Sequence, residues 1–261
     1  MYAHWQEVLK VRWGIDARLT RLDGEYDLNF LAVGDGAHIF KVMRAGCGED
    51  FVDMQCRAFE HIGASASNAP ECGAVAVPEI IRTSSGDLYT TVADETGQPR
   101  IAWLMTRLPG VHYAYWRPRT PALSYRIGNA VGAMDRALAD FVHPSLERSF
   151  KWNLTEALWI RDRYDAILDP PRRSIVDTVV KQYLSVHEAL NALPSVAIHN
   201  DVNDHNILVD GSLQESARVS GLIDLGDMCA APRICDLAVA GAYLVLNDSD
   251  PEAILSSLAA G

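Results

Sequence analysis

Alternating apolar and polar residues dominate the first hundred positions of the chain. The segment ARLTRLDGEYDLNFLAVGDGAHIFKVMR alternates around turn-forming residues at Asp23-Gly24 and at Gly34-Asp35-Gly36. Period-two alternation broken by Gly and Asp is typical of hairpins, so the segment predicts a meander of three antiparallel strands.

A helix and two more strands complete this half of the chain. Residues 49–63 carry apolar side chains at near-helical spacing, and Gly63 is predicted to end the helix. The segments VPEIIRTSSGDLYTTVA and RIAWLMTRL predict two further strands. We therefore expect residues 1–108 to form an N-terminal lobe with a five-stranded antiparallel sheet and one helix.

The pattern becomes helical after residue 108. Segments near 121–141, 154–168 and 173–192 carry apolar residues three and four apart, with interruptions at Pro144 and Pro170-Pro171. Only residues 197–211 and 217–228 read as short apolar strands, and both end in Asp-rich sequence. The prediction is an α+β fold of two lobes, in which residues 109–261 form a mainly helical C-terminal lobe.

Composition narrows the classes of function. The 261 residues are 49% hydrophobic, no apolar run approaches a membrane span of roughly 20 residues, and the N-terminus lacks signal-peptide features. We therefore expect a cytoplasmic protein with no membrane partner. A net charge of −11 disfavours nucleic acid and favours a cationic or metal-chelated ligand. The odd number of cysteines, without zinc-site spacing, predicts free and mostly packed thiols: Cys47, Cys56, Cys72, Cys229 and Cys235.

The stretch AIHNDVNDHNILVDG, residues 197–211, is the strongest candidate for chemistry. Asp201 and Asn206 lie five apart, and Asp224 follows at the end of the next apolar strand. Phosphoryl transfer from a nucleotide needs a carboxylate base, and a carboxylate and an amide oxygen can hold Mg²⁺. Asp, Asn and Gly also cluster in purely structural turns, so a solvated corner remains an alternative. A zinc site from His199, Asp201 and His205 is disfavoured, because the two His lack i, i+4 spacing and no Glu adjoins them.

Kinase chemistry also needs an upstream lysine on a strand, and Lys41 in AHIFKVMR occupies such a place. A solvated lysine on an edge strand is the structural alternative. The preceding segment GEYDLNF, from Gly24 through Tyr26 to Asn29, could present backbone N–H groups to phosphates.

The ordered pair H-x-D-x-x-x-x-N and D-x-G resembles the motifs of protein kinases. With HNDVNDHNIL, LIDLGD, CDLAVA, FKV and LMTRLPG, the chain resembles the aminoglycoside phosphotransferase and choline kinase family. GEYDLNF, Gln55 and FVHPSLERSFKWNL favour the branch of hydroxylysine kinase and of kinase domains fused to aminotransferases. This resemblance implies a protein-kinase-like fold with ATP or GTP between the lobes.

The resemblance also implies roles for individual residues. Asp201 is expected to be the catalytic base, Asn206 and Asp224 to bind Mg²⁺, and Lys41 to contact the phosphates. The hinge segment, including Met105 and Arg107, is expected to bind the edge of the nucleotide base.

Supporting and substrate residues follow from the same reading. His199 and Asp236 are expected to brace the loop structurally. Asp204 and Asp227 either attract an ammonium substrate or are solvated turn residues.

The chain departs from the family pattern in two places. Gln55 stands where a helix Glu usually pairs with the strand lysine, and Glu60 is a less well aligned substitute. The chain also stops soon after the helix that begins near Arg233, so we expect a C-terminally truncated fragment, and a natural protein with further fused domains is one source of it.

The sequence thus predicts a Mg²⁺-dependent phosphotransferase that transfers a γ-phosphoryl group to a hydroxyl of a small amine-bearing metabolite, such as an amino alcohol or a hydroxy amino acid. Two alternatives stay open: a catalytically silent nucleotide-binding module, and a kinase that modifies aminoglycosides.

Overall fold

A computed structural model describes residues 1–68, 75–211, 217–246 and 248–261. The chain divides into two compact units, one of residues 1–118 with 207–223, the other of residues 119–206 with 224–261. The predicted boundary at residue 108, between an N-terminal and a C-terminal lobe, stays a prediction.

The first unit is built on an antiparallel sheet of six strands with the order β1-β2-β3-β6-β4, in which β5 also pairs with β6. The predicted three-stranded meander is confirmed by the pairing of β1 with β2 and of β2 with β3. The strands are β1 (Arg18–Leu22), β2 (Leu28–Val33), β3 (Ala37–Val42), β4 (Ile80–Ile81), β5 (Tyr89–Ala93) and β6 (Pro99–Thr106).

This sheet differs in detail from the expected five strands and one helix. The sixth strand, β4, has only two residues and forms where Ile80 and Ile81 pair with Met105 and Leu104. Too short to show alternation, it could not be separated from β5 in the sequence. The predicted helix is α2 (Glu49–Asn68), which continues past Gly63. Gly63 does not adopt the positive φ of a helix-ending glycine, so it only lowers helix propensity there.

An additional helix, α1 (Tyr2–Trp13), precedes the sheet. Its buried residues Trp5, Leu9 and Trp13 recur every four positions, the spacing of one helical face. The rings of Trp5 and Trp13 pack edge-on against Phe40, which stacks on Phe30. These aromatic side chains form much of the core on this face of the sheet.

A second, three-stranded sheet of the first unit has the order β10-β9-β7. Its strands are β7 (Val111–His112), β9 (Ile207–Asp210) and β10 (Arg218–Leu222). Strands β9 and β10 lie within residues 207–223, which belong to this unit.

The second unit is mainly helical, as predicted. It contains α3 (Pro121–Ala137), α4 (Pro170–Asn191), α5 (Ile234–Leu244) and α6 (Pro251–Ala260), with the two-stranded ribbon β8 (Val196–Ile198) and β11 (Cys229–Ala231). Helices α3 and α6 approach closely at Gly128, where an added Cβ would lie 2.0 Å from the Leu258 carbonyl oxygen. Only glycine fits this contact.

Two helix predictions in this unit need correction. Residues Leu154–Ala166 form 3₁₀ turns instead of an α-helix and bury no residue, so their apolar spacing did not mark a core-facing stripe. Pro170 and Pro171 begin α4, because proline is compatible with the first helical turn, whose N–H groups lack partners inside the helix.

The described residues contain no helix with both the length and the apolar character that a membrane span requires. Of the cysteines, Cys56, Cys229 and Cys235 are free and buried, and Cys47 is free and partly buried. Cys72 lies outside the described residues.

Candidate active site

The register of one β-ribbon brings together the Asp-rich segments of the second unit. Ile198, the last residue of β8, pairs with Cys229, the first residue of β11. Because the strands are antiparallel, the chain after Ile198 and the chain before Cys229 leave the ribbon at the same end. The loop 199–206 therefore emerges beside the turn that contains Asp224 and Asp227. We call residues 199–206 the acidic loop.

Two asparagine side chains hold the Asp201 carboxylate inside the acidic loop. The Asn203 Nδ2 donates to Asp201 Oδ1 at 2.9 Å, and the Asn206 Nδ2 donates to Asp201 Oδ2 at 2.9 Å. The Asn206 Nδ2 also donates to the Asp201 carbonyl oxygen at 2.8 Å. Both carboxylate oxygens are thus fixed by neutral donors, without an ion pair in these bonds.

Asn203 also shapes the backbone that carries Asn206. Its Oδ1 accepts from the N–H groups of His205 at 2.8 Å and Asn206 at 3.1 Å. One side chain therefore joins the turn of the loop to the Asp201 carboxylate. Sequence reasoning assigned no role to Asn203, although its place two residues after Asp201 suits a local side-chain-to-backbone turn.

The start of the acidic loop is held from α5. Asp236 is fully buried, and its Oδ2 accepts from the His199 N–H at 2.8 Å while its Oδ1 accepts from the Asn200 N–H at 2.5 Å. His199, also fully buried, accepts from the Asp201 N–H through Nδ1 at 3.2 Å. Asn200 adopts a left-handed conformation with φ of 65°. These bonds fix the backbone from which Asp201 projects.

The turn after β10 places Asp224 in a conformation that is uncommon for residues other than glycine, with φ of 65°. Its Oδ1 accepts from the Gly226 N–H at 3.1 Å. Arg148 supports the same turn, because its Nη2 donates to the carbonyl oxygens of Gly226 at 2.8 Å and Met228 at 3.1 Å. The Arg148 guanidinium lies over the Phe150 ring at 4.3 Å.

Arg148 is a second site residue that sequence reasoning missed. It lies in the segment FVHPSLERSFKWNL, nearly 80 positions before the turn that it supports. No local spacing connects the two segments, so only the folded structure brings them together.

The electrostatic environment changes the acidity of Asp201. Burial raises the pKa of Asp201 to about 7, and the nearby carboxylates of Asp227 and Asp224 add to the increase. The hydrogen bonds from Asn203 and Asn206 act in the opposite direction but do not cancel it. A carboxylate with a pKa near neutrality is suited to accept a proton at physiological pH.

The donor set is compatible with Mg²⁺. Because the Asn206 Nδ2 donates twice to Asp201, the amide is oriented and its Oδ1 remains the oxygen for a cation. Asp224 supplies an exposed carboxylate. Within the described ranges no group of three or more His, Cys, Asp or Glu could hold a metal. One carboxylate with one amide would not form such a group, since Mg²⁺ commonly takes its other ligands from phosphates and water.

Asp204 and Asp227, the predicted substrate residues, have different surroundings. The Asp204 Oδ2 lies 3.5 Å from the Arg119 Nη2, and both side chains are largely buried. Its charge is therefore partly compensated inside the unit. Asp227 ends a 3₁₀ turn and is close enough to Asp201 to raise its pKa. The phenol of Tyr243 on α5 is near the Asp201 and Asp204 carboxylates. Burial raises the pKa of Tyr243 most, and these two carboxylates raise it further.

Lys41 lies on β3 in the first unit, buried and not at a solvated edge. Its cross-strand neighbours are Asn29 on β2 and Trp103 on β6. The Lys41 Nζ lies 5.4 Å from the centroid of the Trp103 ring. Only 7% of the residue is exposed, so the ammonium occupies an aromatic environment.

The two residues considered as partners of Lys41 each make another bond. The Gln55 Nε2 donates to the Phe51 carbonyl oxygen one turn earlier in α2 at 3.2 Å. Glu60 forms an ion pair with Arg82, with 2.5 Å between the Arg82 Nη2 and the Glu60 Oε1. The bond to Phe51 uses the amide nitrogen of Gln55, so the pairing of Gln55 with Lys41 stays a prediction.

The predicted nucleotide-binding residues of the first unit lie in a hairpin and on one strand. Asn29 Nδ2 donates to the Asp23 carbonyl oxygen at 3.4 Å, and an added Cβ on Gly24 would lie 2.4 Å from that Nδ2, so a larger residue there would displace the Asn29 side chain. Tyr26 is 63% exposed at the hairpin tip.

Met105 and Arg107, the two residues predicted to lie in the hinge, both make backbone hydrogen bonds. Met105 is buried and pairs with Ile39 and Ile80, while the Arg107 N–H donates to the Ala37 carbonyl oxygen at 3.2 Å. Their predicted contact with the nucleotide base stays a prediction.

Known proteins share this fold. An amicoumacin kinase solved with AMP-PNP and Ca²⁺ superposes with a TM-score of 0.67 at 11% identity, over 97% of this chain and 74% of that one. A microcompartment-associated aminopropanol kinase gives a TM-score of 0.64 at 17% identity, over 97% of this chain and 78% of that one. These likenesses confirm the predicted protein-kinase-like α+β fold.

The family follows from the sequence match. Residues 20–260 match the profile of the phosphotransferase enzyme family, and the chain belongs to that family. The hydroxylysine kinase of Xenopus laevis is 35% identical over 175 residues, which cover 63% of this chain and 46% of that enzyme. The chain spans about half the length of most of the curated relatives that it matches.

Proposed function

We propose that the chain transfers the γ-phosphoryl group of a purine nucleoside triphosphate to a hydroxyl of a small amine-bearing metabolite, an amino alcohol or a hydroxy amino acid. The observation that carries this proposal is the state of Asp201. Its carboxylate is fixed by two amides, and its pKa is raised to about 7. A structural turn needs neither feature, whereas a general base uses both.

Asp201 accepts the proton of the attacking hydroxyl in this proposal. Because the asparagine donors occupy both oxygens from within the loop, the carboxylate cannot rotate freely, and the direction of proton transfer is set before substrate binds. Lys41 is the lysine proposed to contact the phosphates. Asn206 and Asp224 would hold Mg²⁺, which, when bound, neutralises charge on the transferred phosphoryl group.

An amine on the acceptor is favoured by the local charge. Asp224 and Asp227 act on Asp201, and the whole chain carries a net charge of −11. Such a field attracts a cation and repels an acidic acceptor. The relatives named hydroxylysine kinase and aminopropanol kinase support the same class of acceptor, a small molecule with both an amine and a hydroxyl.

The proposal is tested by transfer of radiolabelled γ-phosphate from ATP and from GTP, with Mg²⁺, to a panel of amino alcohols, hydroxy amino acids and aminoglycosides. We expect label on amino alcohols or hydroxy amino acids, and none with Asp201→Asn. Label only on aminoglycosides would favour the antibiotic-modifying alternative. Nucleotide binding without transfer to any acceptor, and without hydrolysis, would favour the silent module and contradict the proposal.

A further inference from the structure

Two buried carboxyl groups meet next to the start of the acidic loop. Asp135 on α3 and Asp236 on α5 share a side-chain hydrogen bond, and both residues are buried, at 9% and 0% exposure. Two carboxylates can share a hydrogen bond only if one carries a proton. Burial raises the pKa of Asp135 to about 6 and that of Asp236 well above its usual range, so the pair as a whole keeps one proton at neutral pH.

The geometry indicates which carboxyl carries the proton. Both oxygens of Asp236 already accept backbone N–H groups, from His199 and Asn200, so a proton there would compete with these bonds. The Asp135 Oδ1 is buried and has no hydrogen-bond partner, as suits the carbonyl oxygen of a neutral acid better than half of a charged carboxylate.

The positions of the two residues in their helices also indicate that Asp135 carries the proton. Asp236 lies in the first turn of α5, where the helix dipole favours a negative charge. Asp135 lies in the last turn of α3, where the dipole disfavours one. The charged groups that act on Asp135 are Arg136 beside it and Arg233 before α5, and His199 is the titratable group bound from the acidic loop.

We propose that Asp135 is a positioning residue: as a neutral acid it donates a hydrogen bond to Asp236 and keeps both Asp236 oxygens as acceptors for the N–H groups that begin the acidic loop. Asp135 touches no reacting atom and acts on Asp201 only through this backbone. Its effect on turnover rests on the proposed function, but its effect on the loop does not.

The test compares two substitutions of similar size. Asp135→Asn keeps a donor that cannot titrate, and Asp135→Leu removes the donor. The first readout is hydrogen exchange of the His199 and Asn200 amides, with the α1 and β2 amides of the first unit as a check of folding. We expect Leu to lower protection of the two loop amides by about tenfold or more, as for a lost hydrogen bond to a charged acceptor, and Asn to keep it within about threefold.

The dependence on pH gives a second readout that simple packing would not produce. As pH rises from about 6 to about 9, the wild-type pair loses its last proton and places two charges in a buried site, so protection of the loop amides should fall. In Asp135→Asn this decline should disappear. If the leucine variant does not fold, this comparison decides alone, and an asparagine variant with the wild-type decline would overturn the proposal.

Turnover completes the experiment. In Asp135→Leu we expect kcat to fall by about tenfold with the nucleotide KM nearly unchanged, and in Asp135→Asn we expect kcat to be retained. Unchanged loop protection in the leucine variant, or equal loss in both variants, would contradict the proposal. If no acceptor is phosphorylated by the wild-type chain, the proposed function fails, while the exchange data still decide the role of Asp135.

Discussion

The acidic loop and the surroundings of Lys41 are two polar regions built in different ways. In the loop, the hydrogen bonds of Asp201 to Asn203 and Asn206 join residues two and five positions apart. At Lys41, the neighbouring Trp103 is supplied by strand pairing across more than 60 positions. A contiguous segment can therefore encode the geometry of a base, whereas the environment of the lysine depends on the whole sheet.

The two regions also treat charge differently. In the acidic loop, Asp201 lies near the carboxylates of Asp224 and Asp227. These carboxylates add to the increase in the Asp201 pKa, which makes Asp201 a better proton acceptor near neutrality. The lysine ammonium lies instead above an aromatic ring, at 5.4 Å from its centroid. The ring quadrupole attracts that cation. The loop therefore orients a carboxylate through local hydrogen bonds, whereas the sheet places an aromatic ring beside a cation.

The largest effect is expected from Asp201→Asn, which removes the base while keeping the size of the side chain. General-base assistance is worth about 10²–10⁴ in rate, so kcat should fall by that factor with nucleotide affinity nearly intact. Steady-state kinetics and nucleotide titration measure the two quantities. Asp210→Asn is the matched control, because its exposed carboxylate pairs with Arg218 at the end of β9. Full activity in the Asp201 variant would show that the loop is structural.

The next largest effect is expected from Asp224→Ala. As the proposed Mg²⁺ ligand, Asp224 should contribute to nucleotide binding as well as to catalysis, with a loss of about 10² in kcat/KM and loss of the Mg²⁺ dependence of nucleotide affinity. Calorimetric titration of nucleotide with and without Mg²⁺ measures the latter. Asp227→Ala is the comparison in the same turn, and an equal loss of Mg²⁺ dependence there would remove the special role of Asp224.

A smaller effect is expected from Asn203→Ala, which tests whether the loop is fixed by its own side chains. The substitution removes the donor to Asp201 Oδ1 and the acceptor for the His205 and Asn206 N–H groups. We expect kcat to fall by about tenfold, since each of the three lost hydrogen bonds costs about 1 kcal/mol, only one of them acts on the carboxylate itself, and the loop retains Asn206. Asn203→Asp restores the acceptor but not the donor. Wild-type kcat in both variants would show that Asn206 alone positions the base.

The same contrast explains how far sequence could predict the molecule. The three-stranded meander and α3 were predictable because their apolar spacing is regular and their turns are marked by Gly, Asp and Pro. The Asp201 and Asn206 pair was found because its bonds are local. Arg148 was missed because its carbonyl acceptors lie nearly 80 positions away. For Gln55, the sequence does not show that its amide nitrogen satisfies the Phe51 carbonyl oxygen one turn earlier in α2.

The smallest expected effect concerns stability, where the raised pKa of Asp201 should make the base a cost to the fold. Between about pH 4 and pH 7 the folded chain holds a proton that the unfolded chain releases, so folding free energy becomes less favourable as pH rises through this window. Asp201→Asn cannot titrate and should lack this decline. The variant should therefore gain melting temperature relative to the wild type when the pH is raised from 5 to 8. The expected gain is a few degrees, which corresponds to a free energy of unfolding on the order of 1 kcal/mol. Comparing each protein across pH removes the constant change in hydrogen bonding that the amide introduces at position 201.

Differential scanning calorimetry at the two pH values measures the difference, with Asp210→Asn as the exposed control. A difference of the opposite sign would mean that the folded chain stabilises the ionised carboxylate, and Asp201 would then be a weaker base than its surroundings indicate.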